Sequence, residues 1–211
     1  HKGDYDTRRH GHDLEGNSTM PERLTPAVLV CDFKLAGDPQ VSPDGAAIAY
    51  TLTTVDRDKK KEQTHIWLCD PDGENRRQLT YEGSRNTQPR WSPDGGSLAF
   101  VSDRVEKSGL FIMSLAGGDA REVTRHRQSI ANIDWSPDAS SIAYITDYDP
   151  DNPDEQEPDE DAAPPVRVTS RIDYKVDGLG FRGNVRKQVF VVDVESGARR
   201  RITGDVQDYA Y

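Results

Sequence analysis

The sequence predicts an all-β fold, a β-propeller built from four-stranded blades, and the main reason is a repeated tetrapeptide. Ser-Pro-Asp-Gly occurs at Ser42–Gly45 and at Ser92–Gly95, and a third copy at Ser136–Ala139 ends in Ala. A short apolar run follows each copy, and the copies begin 50 and 44 residues apart. That period is typical of one propeller blade. Because a blade cannot bury its own faces, the roughly three blades present here need neighbouring blades.

The tetrapeptide is well suited to a tight turn between two strands. Pro fixes φ near about −65°, Asp accepts hydrogen bonds from nearby backbone amides, and Gly adopts the positive φ that other residues resist. Trp91 and Trp135 stand directly before their Ser-Pro-Asp turns. We interpret these two indoles as packing between neighbouring blades rather than as part of a ligand site.

The strand pattern is clearest in the second repeat. We expect strands at Arg90-Trp91, Ser97–Ser102, Gly109–Leu115 and Arg121–Thr124, separated by turns. Each repeat ends on an aliphatic residue followed by Thr, and the last of these endings arrives about 35 residues late. The third blade therefore carries an insertion between Thr146 and Gln188.

The chain divides into four parts of different composition. Residues 1–19 hold three of the five histidines and resemble an expression tag, and residues 20–37 form a lead-in segment with a short helix over Pro21 to Leu35. Residues 38–211 form the partial propeller. Within it, an acidic loop spans residues 147–165 and a more basic, aromatic insertion spans residues 166–187. We expect the acidic part to be too highly charged to pack, and therefore mobile.

The composition excludes two classes of function. The net charge is −10, which argues against a nucleic-acid interface because phosphate contacts need clustered Lys and Arg. No run approaches the about 18 uncharged apolar residues of a membrane span. No basic segment precedes an apolar run near the beginning, so we expect a cytoplasmic protein. Cys31 and Cys69 fit neither a disulfide framework nor a metal site, and we expect them to be small buried side chains.

Motifs that carry chemistry are weak or incomplete. Asp147, Asp149 and Asp151 have the spacing of a calcium loop, but Asn152 and Pro158 stand where that loop needs Gly and Glu. Gly178–Gly183 matches G-x-G-x-x-G, but a strand rather than a helix follows it, so no pyrophosphate site is expected. G-x-S-x-G is absent from the sequence. We therefore expect no catalytic residue, metal or cofactor within this chain.

Four segments resemble a known enzyme family. They are Leu24-Thr25-Pro26, Asp38–Gly45, Arg171–Gly178 and Gln188–Val194. They resemble the acylaminoacyl-peptidase branch of the prolyl oligopeptidase family, and the resemblance extends from Pro21 to Thr203. The repeats alone would fit other propellers too, including that of the Tol system.

The resemblance implies a second domain that lies outside this chain. In that family a propeller covers an α/β-hydrolase domain with a Ser-Asp-His triad and admits only short peptides. The chemistry would be acyl transfer through an activated serine with an oxyanion hole. The implied partners are peptide substrates and the hydrolase domain, and assembly into a homo-oligomer through exposed blade edges is compatible with this interpretation.

Three side chains are candidates for substrate binding. A planar guanidinium suits the terminal carboxylate of a peptide, which makes Arg171, with Tyr174 nearby, the first candidate and Arg104 the second. The alternative is that these arginines form structural ion pairs or are solvated. A non-enzymatic propeller that binds other proteins, for example through the acidic loop, is the competing function.

Overall fold

The structure is a computed structural model that describes residues 32–56, 60–157, 175–176, 180–181 and 183–204. In these residues it is all-β, with three four-stranded antiparallel sheets and one two-stranded hairpin. The strands are β1 (Leu35–Val41), β2 (Ile48–Asp56), β3 (Lys61–Cys69), β4 (Arg77–Gln78), β5 (Asn86–Trp91), β6 (Ser97–Ser102), β7 (Ser108–Ser114), β8 (Arg121–His126), β9 (Ala131–Trp135), β10 (Ser141–Tyr148), β11 (Lys175–Val176), β12 (Gly180–Phe181), β13 (Arg186–Asp193) and β14 (Arg199–Arg201).

The three large sheets are successive propeller blades. Blade 1 has the order β1-β2-β3-β4, blade 2 has β5-β6-β7-β8, and blade 3 has β9-β10-β13-β14. Neighbouring strands follow one another along the chain except in blade 3, where the insertion with the β11–β12 hairpin separates β10 from β13. The predicted fold class is therefore confirmed. The first strand begins at Leu35, three residues before the boundary predicted at Asp38.

The Ser-Pro-Asp turn is held together by its own side chains. In the first copy the Ser42 hydroxyl donates to Asp44 Oδ1 at 2.6 Å and accepts the Ala47 N–H at 2.9 Å. Gly45 has a φ of 73°, as predicted for the last turn position. In the third copy Ala139 adopts the same left-handed conformation with a φ of 59°. Hydrogen bonds from Ser136 and Ser140 lower the pKa of Asp138 to about 2, so this turn keeps its carboxylate at ordinary pH.

The two tryptophans join adjacent blades, as predicted. The Trp91 indole N–H donates to the Gln40 carbonyl of blade 1 at 2.9 Å. The Trp135 indole N–H donates to the Arg90 carbonyl of blade 2 at 3.0 Å. Each indole thus reaches from the first strand of its own blade to the first strand of the preceding blade, and its ring packs against the core between them.

The first strands of the blades share a bulge with one left-handed residue. These residues are Asp38, Gln88 and Asn132, with φ values of 46°, 56° and 53°. The carboxylate of Asp38 receives the Arg90 guanidinium of the next blade at 2.9 Å. Gln88 Oε1 accepts the Asn132 N–H of the blade after it at 2.6 Å. The bulges therefore place polar contacts between the first strands of neighbouring blades.

Two apolar cores lie between the blades rather than inside them. One unites blades 1 and 2, and the other unites blades 2 and 3. Each contains a stacked aromatic pair from the middle strands of the later blade: Phe100 with Phe111 at 5.9 Å between ring centroids, and Tyr144 with Phe190 at 5.8 Å. The rings are buried, which is the arrangement expected when blades bury one another's faces.

The beginning of the acidic loop packs, contrary to expectation. Asp147 and Tyr148 belong to β10, and residues 149–157 form turns that contact blade 2. Glu155 accepts hydrogen bonds from His126 and from the Arg127 amide, and Glu157 pairs with Lys107 at 2.8 Å. The charge of this segment does not keep it from packing because basic groups of blade 2 receive it. Among the described residues no helix is long and apolar enough to span a membrane.

Candidate functional site

Arg104, the one substrate-binding candidate among the described residues, lies at the junction of blades 1 and 2. It follows β6, and its side chain is 11% exposed. The guanidinium lies over the rings of Phe100 and Phe111, at 5.1 and 4.8 Å from their centroids. Its Nε donates to Ser102 Oγ at 3.2 Å. The aromatic pair of blade 2 is thus capped by a cation, a favourable arrangement because the face of an aromatic ring is electronegative.

The charge of Arg104 is balanced within the propeller. Glu82, which follows blade 1, approaches the guanidinium at 3.5 Å. Burial lowers the pKa of Arg104, and the Glu82 carboxylate partly offsets this effect. Arginine nonetheless stays charged at any ordinary pH. This geometry is that of the structural ion pair, the alternative to substrate binding. A substrate carboxylate would have to compete with Glu82, and the proposed substrate contact of Arg104 stays a prediction.

Other polar groups surround Arg104 at this junction. The Asp103 carboxylate accepts the backbone N–H groups of Ser84 and Arg85, each at 2.8 Å. Burial by itself raises the pKa of Asp103, but these bonds and the Ser84 hydroxyl more than offset it, so the net pKa is lowered. The His65 ring faces the Asn86 amide, and burial lowers the pKa of His65. These partners stabilise the ends of strands and do not form a nucleophile with a general base.

The junction of blades 2 and 3 holds a more unusual cluster, centred on His126. The imidazole is 2% exposed, its Nδ1 lies 2.5 Å from Glu155 Oε1, and its Nε2 lies 2.8 Å from the Tyr144 hydroxyl. Burial lowers the pKa of His126, although the Glu155 carboxylate partly offsets this effect. A neutral ring with its proton on Nδ1 can donate to Glu155 and accept from Tyr144. Arg199 completes the cluster, 3.8 Å from Glu155.

Glu155, His126 and Tyr144 place a carboxylate, an imidazole and a hydroxyl in the order found in the catalytic triad of a hydrolase. The burial of the hydroxyl argues against catalysis. Tyr144 is 1% exposed, and burial raises its pKa to about 12. A hydroxyl that is buried and hard to ionise cannot attack a substrate. We therefore assign the cluster of His126, Tyr144, Glu155 and Arg199 a structural role.

This cluster was not predicted from the sequence. His126 stands two residues after the Val123-Thr124 ending, and Tyr144 aligns with Phe100 in the repeat, so a comparison of the repeats could have placed both at a junction. Glu155 carries no such signal because it belongs to the insertion. Its position is decided by the path of the chain after β10.

The remaining predictions concern the other two substrate-binding candidates, the two cysteines and metal binding. Arg171 and Tyr174 lie outside the described residues, as does Cys31. Cys69 is a free, half-buried thiol. Within the described ranges no group of three or more His, Cys, Asp or Glu side chains is placed to hold a metal ion.

Comparison with known proteins identifies the repeats. The family model PD40, the TolB beta propeller domain, matches residues 27–154. The uncharacterized peptidase YuxL of Bacillus subtilis is 34% identical over 82% of this chain and 26% of its own length. The Tol-Pal system protein TolB of Albidiferax ferrireducens is 30% identical over 56% of this chain and 28% of its own length.

A solved structure shows the same fold. The acylaminoacyl peptidase of Pyrococcus horikoshii superposes with a TM-score of 0.63 at 20% identity, covering 81% of this chain and 25% of that protein. The chain thus spans about a quarter of the length of these two peptidases. The resemblance to the propeller part of prolyl oligopeptidase-family peptidases is confirmed, and the chain belongs to the TolB β-propeller domain family.

Proposed function

We propose that this chain is the propeller part of a serine peptidase that hydrolyses short peptides. In this proposal the propeller limits access to an α/β-hydrolase domain that supplies the Ser-Asp-His triad. The catalytic step is acyl transfer: the activated serine attacks the scissile carbonyl, the amine leaves with a proton from His, and water then releases the acid. The propeller residues contribute shape and charge at the entrance rather than chemistry.

One observation carries the proposal. The match to the Bacillus subtilis peptidase covers 82% of the chain, which is more than residues 27–154 of the propeller repeats contain. It therefore includes residues outside the range that the propeller family model matches. The match to the Tol-Pal protein covers 56% of the chain. The longer match to the peptidase favours this proposal over a propeller that resembles the chain over a shorter range.

Active-site labelling tests the reaction type. The full-length protein is treated with a fluorophosphonate, digested and analysed by mass spectrometry. We expect one adduct on a serine of the hydrolase domain, outside the propeller, and we expect replacement of that serine by Ala to abolish both labelling and peptide hydrolysis. A full-length protein that hydrolyses no short peptide and takes up no label would contradict the proposal.

The role proposed for Arg171 has a separate test. We expect Arg171→Ala to raise KM for peptides with a free terminal carboxylate and to leave KM for the amidated peptides unchanged, because only the former would lose an ion pair. Tyr174→Phe tests the neighbouring hydroxyl in the same assay. Arg125→Ala is a matched control, since that side chain is half exposed and pairs with Glu122 within β8. An equal loss on both substrate types would exclude terminus recognition.

A non-enzymatic propeller is the second candidate. The observation in its favour is the 30% identity to a Tol-Pal protein over 56% of this chain. In that case the full-length protein would resist the label and would be recovered in stable complexes with other proteins.

A further inference from the structure

Blades 1 and 2 each turn one face of their two middle strands toward the blade that follows. On blade 1 this face includes Ala49 and Leu68, which pair with each other and belong to the core between blades 1 and 2. On blade 2 the equivalent pair is Ala99 and Ile112, which contributes to the core between blades 2 and 3. Both alanines are 0% exposed, because the following blade covers them.

Blade 3 has the same apolar face, but the described residues do not bury it. The register of β10 with β13 places four side chains there: Ala143, Ile145, Val189 and Val191. All four are half-buried. Three of their four counterparts on blade 2 are buried: Ala99, Val101 and Leu110. An apolar face that a blade covers at two junctions is therefore partly exposed on blade 3.

The junction of blades 2 and 3 shows how a following blade sits on such a face. The turn between β13 and β14 lies on the fourth strand of blade 2, where the Arg121 guanidinium donates to the Val194 carbonyl at 2.8 Å. Val194 also packs against the core between the two blades. Gly197 of the same turn approaches the Val123 carbonyl so closely that a Cβ would lie 3.0 Å from it. The turn between the third and fourth strands is thus part of the contact.

On blade 3 the equivalent place is a cavity of about 270 Å³. Its lining residues are Ser141, Val191, Asp193, Ala198, Arg199 and Arg200. Arg200 pairs with Val191 as Arg121 pairs with Ile112, so Arg200 occupies the position of Arg121 in its own blade. The cavity therefore lies where the turn of a following blade would be seated, with an arginine in position to donate to that turn.

The first strands supply a further contact that is specific to the sequence. Trp91 and Trp135 donate their indole N–H groups to the carbonyls of Gln40 and Arg90 on the preceding blade. The pairing registers of the three sheets show that Asp134 is the equivalent of these two acceptors on blade 3. The Asp134 carbonyl is therefore the expected acceptor for the indole of a following blade.

We propose that the open face of blade 3 is the docking surface for a further four-stranded blade whose first strand ends on Trp. Its indole donates to the Asp134 carbonyl, the turn between its third and fourth strands fills the cavity, and Arg200 donates to a carbonyl of that turn. The full-length protein can supply this blade, because this chain spans about a quarter of the length of the two peptidases. The docking does not depend on the reaction proposed above.

A second copy of this chain fits the surface less well. It would have to present blade 1, whose first strand ends on Val41, directly before the Ser-Pro-Asp turn where the other blades have Trp91 and Trp135. Valine has no side-chain donor, so it makes no hydrogen bond to the Asp134 carbonyl. A blade of the type of blades 2 and 3 is therefore the better partner.

Thiol labelling of the full-length protein tests whether the face is covered. Ala143→Cys, Ala99→Cys and Ala46→Cys are compared, with the maleimide adduct quantified on the peptide that carries each introduced thiol. Ala99 lies on a covered face and Ala46 is exposed, so they give the slow and the fast limits. We expect Ala143→Cys to react as slowly as Ala99→Cys and at least about tenfold more slowly than Ala46→Cys. Labelling as fast as that of Ala46→Cys would overturn the proposal.

Photocrosslinking identifies what covers the face. p-Benzoylphenylalanine replaces Ala198, an exposed residue at the cavity, and in a control protein it replaces Ala46. We expect an intramolecular crosslink from position 198 to a segment that follows Tyr211 in the full-length protein and belongs to a blade with Trp at the end of its first strand. The control should not form this crosslink. A crosslink to blade 1 of a second molecule, to residues 158–174 of this chain, or to no segment would contradict the proposal.

Discussion

The two junctions between blades use the same plan with different ionisable groups. In each, a stacked aromatic pair of the later blade is accompanied by a basic side chain and a carboxylate: Arg104 with Glu82 at the first junction, and His126 with Glu155 at the second. Arg104 lies over the rings of its pair, whereas His126 packs against its pair at 5.4 Å between ring centroids. The plan therefore belongs to the propeller repeat, and the chemistry of each junction is a local variation.

The difference between the junctions has consequences for pH and for chain connectivity. Arg104 remains charged at every ordinary pH, so the cation of the first junction does not titrate in the physiological range. Burial lowers the pKa of His126, so the basic group of the second junction is an imidazole that is harder to protonate than a free one. Glu82 comes from the segment that joins blades 1 and 2, whereas Glu155 comes from the insertion. The second junction thus depends on the insertion, and the first does not.

The largest expected effect tests whether the aromatic pairs are equivalent. Phe100→Ala and Phe190→Ala should each lower the free energy of unfolding by about 3–5 kcal/mol, because each removes a buried ring from a core between blades. Phe33→Ala, at a ring that is 55% exposed, should change it by about 0.5 kcal/mol or less. Urea denaturation of each variant measures the difference. A small effect at only one of the two buried rings would show that the junctions contribute unequally.

A smaller effect is expected from the cation at the first junction. Arg104→Ala should lower the free energy of unfolding by about 1–3 kcal/mol, because it removes the contact with two rings and the hydrogen bond to Ser102. Arg104→Lys should recover part of this loss, since it keeps the charge without the planar group. Glu82→Gln should change stability by about 0.5 kcal/mol or less because Glu82 is 78% exposed. If Arg104→Ala leaves the denaturation midpoint unchanged, the structural role assigned to this side chain is wrong.

The smallest expected effect concerns the degenerate turn of blade 3. Ala139→Gly should stabilise the chain by about 0.5–1 kcal/mol, because Gly relieves the left-handed φ of 59° at a modest entropic cost. Gly45→Ala, the reverse change in blade 1, should destabilise it by about 1 kcal/mol. Ala46→Gly is the matched control at a position without a positive φ, and it should not stabilise the chain. The thermal unfolding midpoint of each variant shows whether the substitution stabilises or destabilises the chain. A destabilising Ala139→Gly would mean that strain at this turn is unimportant.

Much of the blade architecture could be predicted because its signals are local. The strands of blade 2 were predicted to within a few residues, since turn residues and apolar runs alternate there within short distances. The packing of Trp91 and Trp135 between blades was predicted for the same reason. The expectation that the acidic loop does not pack was wrong for its first turn, residues 149–157. Composition alone does not show that Lys107, His126 and Arg127 face this turn. Arg104 was predicted as a candidate for substrate binding, but its contacts with Phe100, Phe111 and Glu82 were not predicted.

The sequence by itself determined the repeat, the turns and the alternation of strands, because a four-residue turn and its apolar neighbours carry their own conformational preferences. The tertiary structure alone decided which side chains meet between blades. His126 contacts Glu155, which lies 29 residues away in the sequence, and Arg199, which lies 73 residues away. No local conformational preference encodes contacts at such sequence separations. Burial at those junctions then decides which ionisable groups are neutral. The propeller follows from short-range patterns, whereas the shifted pKa values at its junctions follow from contacts that exist only once the blades have packed.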